Sequence, residues 1–282
     1  MPSQRRFSNA VTGRSRGGCG IRLLIMAAIA GFAIFQFLST PTDTNPFTGE
    51  EQRIALNQEE EIALGLNSAP AMAEQFGGLD PDPQDTDLVR RIGHKLVAAN
   101  SGVSGSGYQF DFHLLADPQT INAFALPGGQ IFITRALFDR LGSEEELAGI
   151  LGHEIGHVVG RHSAEQMTKG QLMQGLSQAV VVGASDSHSS AQMSHMAAQY
   201  VSQFVMTKYG RADELHSDEI GFQLLVDSGY DPAAMLKVME TLRDAAGEGP
   251  RGPEFMSTHP HPESRIARLK EMLAEFERAN PR

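Results

Sequence analysis

Between Ser143 and Gly160 the sequence SEEELAGILGHEIGHVVG constrains the fold more than any other stretch, because it reads as a helix that has to be buried. Ser143, followed three residues later by Glu146, forms a capping box: its hydroxyl can accept from the Glu146 N–H while the Glu146 side chain reaches back. Glu144, Glu145 and Glu146 also suit the positive end of the helix dipole. From Leu147 onward Ile150, Leu151, Ile155, Val158 and Val159 cover a broad apolar sector, as in a helix that runs through the middle of a domain. Gly152, Gly156 and Gly160 lower helix propensity, and their four-residue spacing lines them up where another backbone can approach closely.

This helix carries His153-Glu154-Ile155-Gly156-His157, an HExxH pattern. Residues four apart share a helix face, so His153 and His157 can converge on one metal ion with Glu154 beside it. A catalytic zinc needs a third protein donor. The extension HExxHxxGxxH fails, because its last position is Ser163 and His162 comes one residue early; His162 is read as an exposed helix-end residue. Glu165 is too close, and Asp186 lies in a Ser-rich stretch with His188 and His195. Glu214-Leu215-His216-Ser217-Asp218 remains, at the start of an amphipathic segment ended by Gly229. Glu214 and Asp218 share a face, so Glu214 can bind the metal while Asp218 accepts the free N–H of a ligand histidine. Taken alone, the same residues read more readily as a solvated acidic helix start.

HExxH followed far downstream by ExxxD resembles the gluzincin zinc metallopeptidases of the HtpX and CAAX prenyl protease family. Asn122 to Thr134 (NAFALPGGQIFIT) is similar to that family's strand-turn-strand, and Thr258-His259-Pro260 with Arg265-Ile266 to its C-terminal block. The match runs from about Asn45 to the end, and its affinity is to the soluble, periplasmic BepA-like branch. The resemblance implies a metalloendopeptidase with one Zn²⁺ per chain, held by His153, His157 and Glu214. Zinc brings the pKa of water toward neutrality and polarises the scissile carbonyl, and Glu154 then acts as general base. His259 and Arg265 are implied as donors to the oxyanion of the tetrahedral intermediate; alternatively His259 is a fourth ligand that holds the enzyme latent. Asn122, Ala123, Phe124 and Ala125 are implied as an open strand edge that takes extended substrate, the rival being an interior hairpin. His261 is read as an exposed loop residue.

The first 40 residues hold Arg5, Arg6, Arg14, Arg16 and Arg22 and no acid, and the apolar run Leu23 to Leu38 follows. Residues 1–22 are read as a basic cytoplasmic arm and 23–39 as a membrane anchor in a bacterial inner membrane, with the remainder exported. A cleaved signal peptide leaving a soluble periplasmic protein is the rival, disfavoured by Phe37 and Leu38 where small residues are preferred. Residues 40–52 read as a linker and 53–282 as one metallopeptidase domain. The single Cys19 precedes the apolar run, so the exported part has no internal disulfide. Of 23 Lys and Arg and 34 Asp and Glu, removing those five arginines leaves 18 basic against 34 acidic residues, a surface unsuited to nucleic acid.

Alternation over Tyr108–His113 reads as a half-buried strand, and Pro127-Gly128-Gly129 as a bend between two more. Helices are expected over about 85–99, 144–170, within 189–208, 212–228, 232–246 and 263–279. The stretch between the two metal helices, with Met167, Met173, Met193, Met196, Val201, Phe204, Val205 and Met206, is either core filling or an adaptable lid. The fold class is α+β, mostly helical, with a small sheet against the zinc helix. Two functions follow: an endopeptidase for exported or membrane-associated, plausibly misfolded proteins with unidentified regulatory partners, or a chaperone-like or scaffolding protein whose zinc site is structural or blocked by His259.

Overall fold

The computed structural model describes residues 17–184, 208–246, 254–260 and 262–281. The arginines before residue 17, Asp186, His188, His195, Met193 to Met206 and His261 lie outside the described residues. The chain divides into two units, one made of residues 1–39 and 169–190, the other of 40–168 and 191–282.

In the first unit, helix α1 (Gly17–Ser39) contains the segment Ile21–Ser39, long and apolar enough to cross a membrane, with a mean hydropathy of 2.1. At 1.5 Å per residue, 19 residues reach about 28 Å, close to a bilayer's hydrocarbon thickness. Ala33 is the point where a neighbour comes near: a Cβ on Gly175 would sit 2.5 Å from the Ala33 Cβ.

The second unit is built around helix α6 (Glu144–Val159), buried from Glu146 to Val159. The Ser143 hydroxyl accepts from the Glu146 N–H at 3.2 Å, as the capping pattern requires. The return bond differs: Glu146 accepts from the Gly142 N–H, one residue upstream of the cap. Helix α8 (Arg211–Asp227) lies against α6, and the glycines explain how closely. A Cβ on Gly156 would stand 2.7 Å from Ser217 Cα, and one on Gly152 would stand 3.3 Å from Gly221 Cα. Gly160 serves another purpose, described with the site. Gly156→Ala is accordingly expected to force the two helices apart and to cost about 1–3 kcal/mol, read as a lower denaturant midpoint. An unchanged midpoint would contradict this packing.

Strands β3 (Asp111–Leu115), β4 (Ala123–Ala125) and β5 (Gln130–Thr134) form a sheet in the order β3-β5-β4, with β3 parallel and β4 antiparallel to β5. The bend between β4 and β5 puts Gly128 and Gly129 at φ +85° and +116°, and a Cβ on either would stand 3.0 Å or less from the backbone of 61–62 or 109–110. Alternate residues of β5 serve two cores. Ile131 and Ile133 join the core of α6, whereas Phe132 stacks on Phe124 at 5.0 Å on the opposite face. That opposite face is covered by helix α2 (Gln58–Gln75), through Met72, and by Phe76 just beyond it.

Helix α2 is not among the elements expected from the sequence, although its capping box, Asn57 with Glu60, is fully formed. The stretch 40–52, read as a linker, carries the hairpin β1 (Thr42–Thr44) and β2 (Glu51–Arg53). Helix α3 (Pro83–Ala99) matches the reading, and short α4 (Ser101–Ser104) and α5 (Arg135–Phe138) follow it and β5. The helix expected over 144–170 is two: α6 ends at Val159, and α7 (His162–Ala184) begins after Arg161, which has φ +57°. Helices α9 (Ala234–Ala246), α10 (Glu254–Thr258) and α11 (Pro262–Ala279) complete the described elements.

Candidate active site

The close crossing of α6 and α8 brings three potential ligands together, and His259, just past the helix Glu254–Thr258, joins them. One donor atom from each of His153, His157, Glu214 and His259 lies within 4.8 Å of every other, and all four residues are buried. His153 Nε2 and His157 Nε2 face each other at 3.0 Å. Glu214 sits 3.7 and 3.6 Å from these two nitrogens.

Each ligand histidine is oriented from behind. His153 Nδ1 donates to Asp218 Oδ1 at 2.9 Å, which fixes its tautomer and directs the Nε2 lone pair at the site. His157 Nδ1 is 2.9 Å from His162 Nδ1, and the Tyr209 ring stacks on His157 at 4.0 Å. The Tyr209 hydroxyl in turn bonds Ser163 Oγ at 2.8 Å. His162 is therefore not the exposed helix-end residue that its one-residue offset suggested. It is fully buried, because the break at Arg161 turns it back beside α6 instead of carrying it onward along the same helix.

The buried groups suit a cation. Burial pushes Glu154 up to about 8 and Glu214 well above the usual carboxylate range, with Arg265 offsetting part of the shift in both. Burial first, and then neighbouring positive charge, lowers His153 to about 4 and holds His157 and His259 well below the usual histidine range. Both Glu154 oxygens, Glu214 Oε1 and His259 Nε2 lack a hydrogen-bond partner among the described residues. Two imidazoles beside the buried Glu214 and the unpartnered Glu154 fit a divalent metal, and the nitrogen and oxygen donor set suits zinc.

Arg265 is placed differently from the oxyanion donor that the sequence suggested. Its Nε and Nη2 donate to Asp218 at 2.7 Å each, and Nη1 lies 2.7 Å from Glu214 Oε2. The guanidinium is thus engaged with the carboxylates behind the ligands. Burial would raise Asp218, but Arg265 and the bond from His153 bring it down to about 2.

His259 Nε2 stands 3.6 Å from Glu154 Oε1, and Phe255 stacks on the ring at 4.2 Å. Its Nδ1 is 2.9 Å from Thr258 Oγ1, which can donate or accept, and 3.3 Å from the Phe255 carbonyl, which only accepts; a ring proton on Nδ1 satisfies both contacts. A neutral His259 with its proton there presents a lone pair at Nε2. That tautomer is able to ligate a metal and unable to donate to an oxyanion.

Asn122 to Ala125 lie at the sheet edge, with β5 on one side of β4. Asn122 and Leu126 bond toward β5, through Thr134 N–H to Asn122 O and Leu126 N–H to Gln130 O, so the amides of Ala123 and Ala125 point away from it. β4 has one strand neighbour among the described residues, and all four residues are buried. Sequence reasoning missed His162, Tyr209 and Ser217. His162 was visible as a histidine just past HExxH, but its use depends on a backbone turn that spacing alone does not reveal.

The residues 83–273 match the profile described as peptidase family M48. The chain is 33% identical over 251 residues to a beta-barrel assembly-enhancing protease of Yersinia pestis, covering 87% of this chain and 50% of that protein. It is 32% identical over 255 residues to the protein of the same name in Escherichia coli K12, covering 86% and 50%. It is 29% identical over 252 residues to the mitochondrial metalloendopeptidase OMA1 of Schizosaccharomyces pombe, covering 88% and 71%. The chain spans about half the length of the two bacterial relatives.

Proposed function

The chain belongs to peptidase family M48, and from that premise we propose that it is a zinc-dependent metalloendopeptidase acting on exported or membrane-associated proteins, misfolded ones included. The observation that carries this reading is the convergence of His153, His157 and Glu214 beside the buried, unpartnered Glu154. A structural zinc site needs no base, so Glu154 favours catalysis over a scaffolding role.

When bound, zinc supplies charge that polarises the scissile carbonyl and acidifies the attacking water. Glu154 takes the proton from that water and delivers it to the leaving amine. A cation beside Glu154 favours its ionised form, offsetting the burial that raises it. Asp218 holds His153 in register, and Arg265 holds Asp218 and Glu214 while lowering the cost of two buried carboxylates. The outward amides of Ala123 and Ala125 could bond an extended substrate once the edge is uncovered.

The inward lone pair of His259 supports a resting state in which this residue occupies the fourth metal position and blocks hydrolysis. His259→Ala is then expected to retain zinc and to raise cleavage of an unfolded protein by at least roughly tenfold, the ratio that 1.4 kcal/mol of ligation would impose. A fall of about 10²–10³ instead would restore His259 as an oxyanion donor.

The apolar segment Ile21–Ser39, with its arginine-rich approach, supports a single-pass anchor with a cytoplasmic amino end and a periplasmic catalytic domain. Signal cleavage leaving a soluble periplasmic protein is the rival, and the amino-terminal sequence of the mature protein decides between them. Partners in this reading are protein or peptide substrates and the membrane, with no nucleic acid; regulatory partners remain open to identification by crosslinking.

A further inference from the structure

His162 sits where the chain has made unusual provision for it. The imidazole occupies the space beside Gly160: a Cβ there would fall 2.5 Å from His162 Cε1 and Nε2. Arg161, the one non-glycine residue with positive φ among the described residues, makes the turn that brings the ring back. A left-handed residue with a side chain is strained, so the turn needs external support. Arg161 donates to the buried Glu61 at 2.9 Å and to Leu56 O at 2.9 Å. Asn45 Nδ2 donates to Val159 O at 2.9 Å, and Gln52 Nε2 to Gly160 O at 2.7 Å, capping the carbonyls at the end of α6. Three side chains from outside the two helices, Asn45, Gln52 and Glu61, thus converge on the turn that carries His162.

The proton count gives the ring a role. A His157 that offers Nε2 to a metal carries its proton on Nδ1, and His162 Nδ1 is 2.9 Å away, closer than Ser217 Oγ is to that same nitrogen at 3.3 Å. A neutral His162 with its lone pair on Nδ1 and its own proton on Nε2 can accept that Nδ1 proton. The two ligand histidines are then backed differently, His153 by a carboxylate and His157 by an imidazole. We propose that His162 is a positioning residue of the metal centre, which fixes the tautomer and ring plane of His157 by accepting its Nδ1 proton. This inference rests on the zinc site proposed above, and it assigns the turn at Gly160–Arg161 and its supports from Asn45 to Glu61 to the same task.

The test uses the full-length chain in detergent, with zinc affinity measured by chelator competition and the site geometry read from the visible bands of the Co²⁺-substituted protein. His162→Leu removes the acceptor, whereas His162→Asn places an oxygen near the position of Nδ1. The expected result is a zinc dissociation constant raised about 10–100-fold in His162→Leu with displaced Co²⁺ bands, and one within roughly threefold of wild type, with restored bands, in His162→Asn. Wild-type affinity and bands in folded His162→Leu would overturn the assignment, as would an equal loss in both variants, which would make ring packing the relevant property. Should His162→Leu not fold, His162→Asn decides: near-wild-type affinity and bands support the role, and a loss of tenfold or more overturns it. Wild type that binds no zinc would remove the proposed function itself, whereas wild type that binds and cleaves normally beside an unaffected His162→Leu removes only this inference.

Discussion

Glu154→Gln is expected to lower hydrolysis by about 10²–10⁴ while leaving one zinc bound per chain, in the wild-type background and in His259→Ala alike. The amide matches the carboxylate in size, so the packing of α6 is kept, but it cannot take a proton from water. Glu154 has no hydrogen-bond partner among the described residues and is fully buried, so no structural bond is lost with its charge. Burial raises its carboxyl to about 8, and the neutral amide is spared that penalty. The variant should therefore be at least as resistant to urea as wild type. Zinc content by metal analysis, a urea midpoint and cleavage of an unfolded protein check the three parts separately. Peptidase activity at the wild-type level in Glu154→Gln would end the general-base mechanism.

Arg265→Met is expected to destabilise the fold by about 3–5 kcal/mol, because it strips the counter-charge from two buried carboxylates at once. Arg265 is 1% exposed and lies 2.7 Å from both Asp218 and Glu214. Asp218 has an ordinary value of 3.8 and is held down to about 2, so its contribution is full above 3.8 and disappears as the pH falls through about 2. Loss of Arg265 removes the main force holding it down, and the acid limb of the stability profile should move toward neutral pH. Arg265→Lys keeps the charge and loses the fork that grips Asp218 through two nitrogens, so it should recover part of the stability and leave zinc binding weakened. If Arg265 served the oxyanion instead, Arg265→Lys would depress turnover with zinc affinity and the acid limb unmoved. Urea midpoints between pH 2 and 7, with zinc affinity for both variants, separate the two roles.

The parts of the site carried by regular helices were legible in the sequence because helical geometry is local. HExxH and ExxxD each place two groups on one face, and the structure brings His153, His157, Glu214 and Asp218 together across the crossing that Gly152 and Gly156 permit. The bend at Pro127-Gly128-Gly129 was legible for a similar reason, since its glycines are needed at positive φ. What was missed depends on contacts between distant segments. Helix α2 is weakly amphipathic, and only the sheet face bearing Phe124 and Phe132 gives its apolar side a place to pack. Asn45 and Gln52 look like loop residues until their partners, the carbonyls of Val159 and Gly160, are known. His162 was set aside on a helical extrapolation that fails at Arg161, where an ion pair with Glu61, 100 positions earlier, supports the turn. The pairing of Arg265 with Asp218 and Glu214 was not legible either, because a buried guanidinium goes where buried carboxylates need it, and that destination is tertiary.

The central claim is that one zinc, held by His153, His157 and Glu214, makes this chain a peptidase. It is tested most directly by zinc titration of the chelator-stripped full-length His259→Ala protein, with cleavage of an unfolded protein followed at each addition. The predicted result is no cleavage before zinc, a linear rise to one equivalent and a plateau beyond it. Cleavage that persists in the stripped protein would contradict the account.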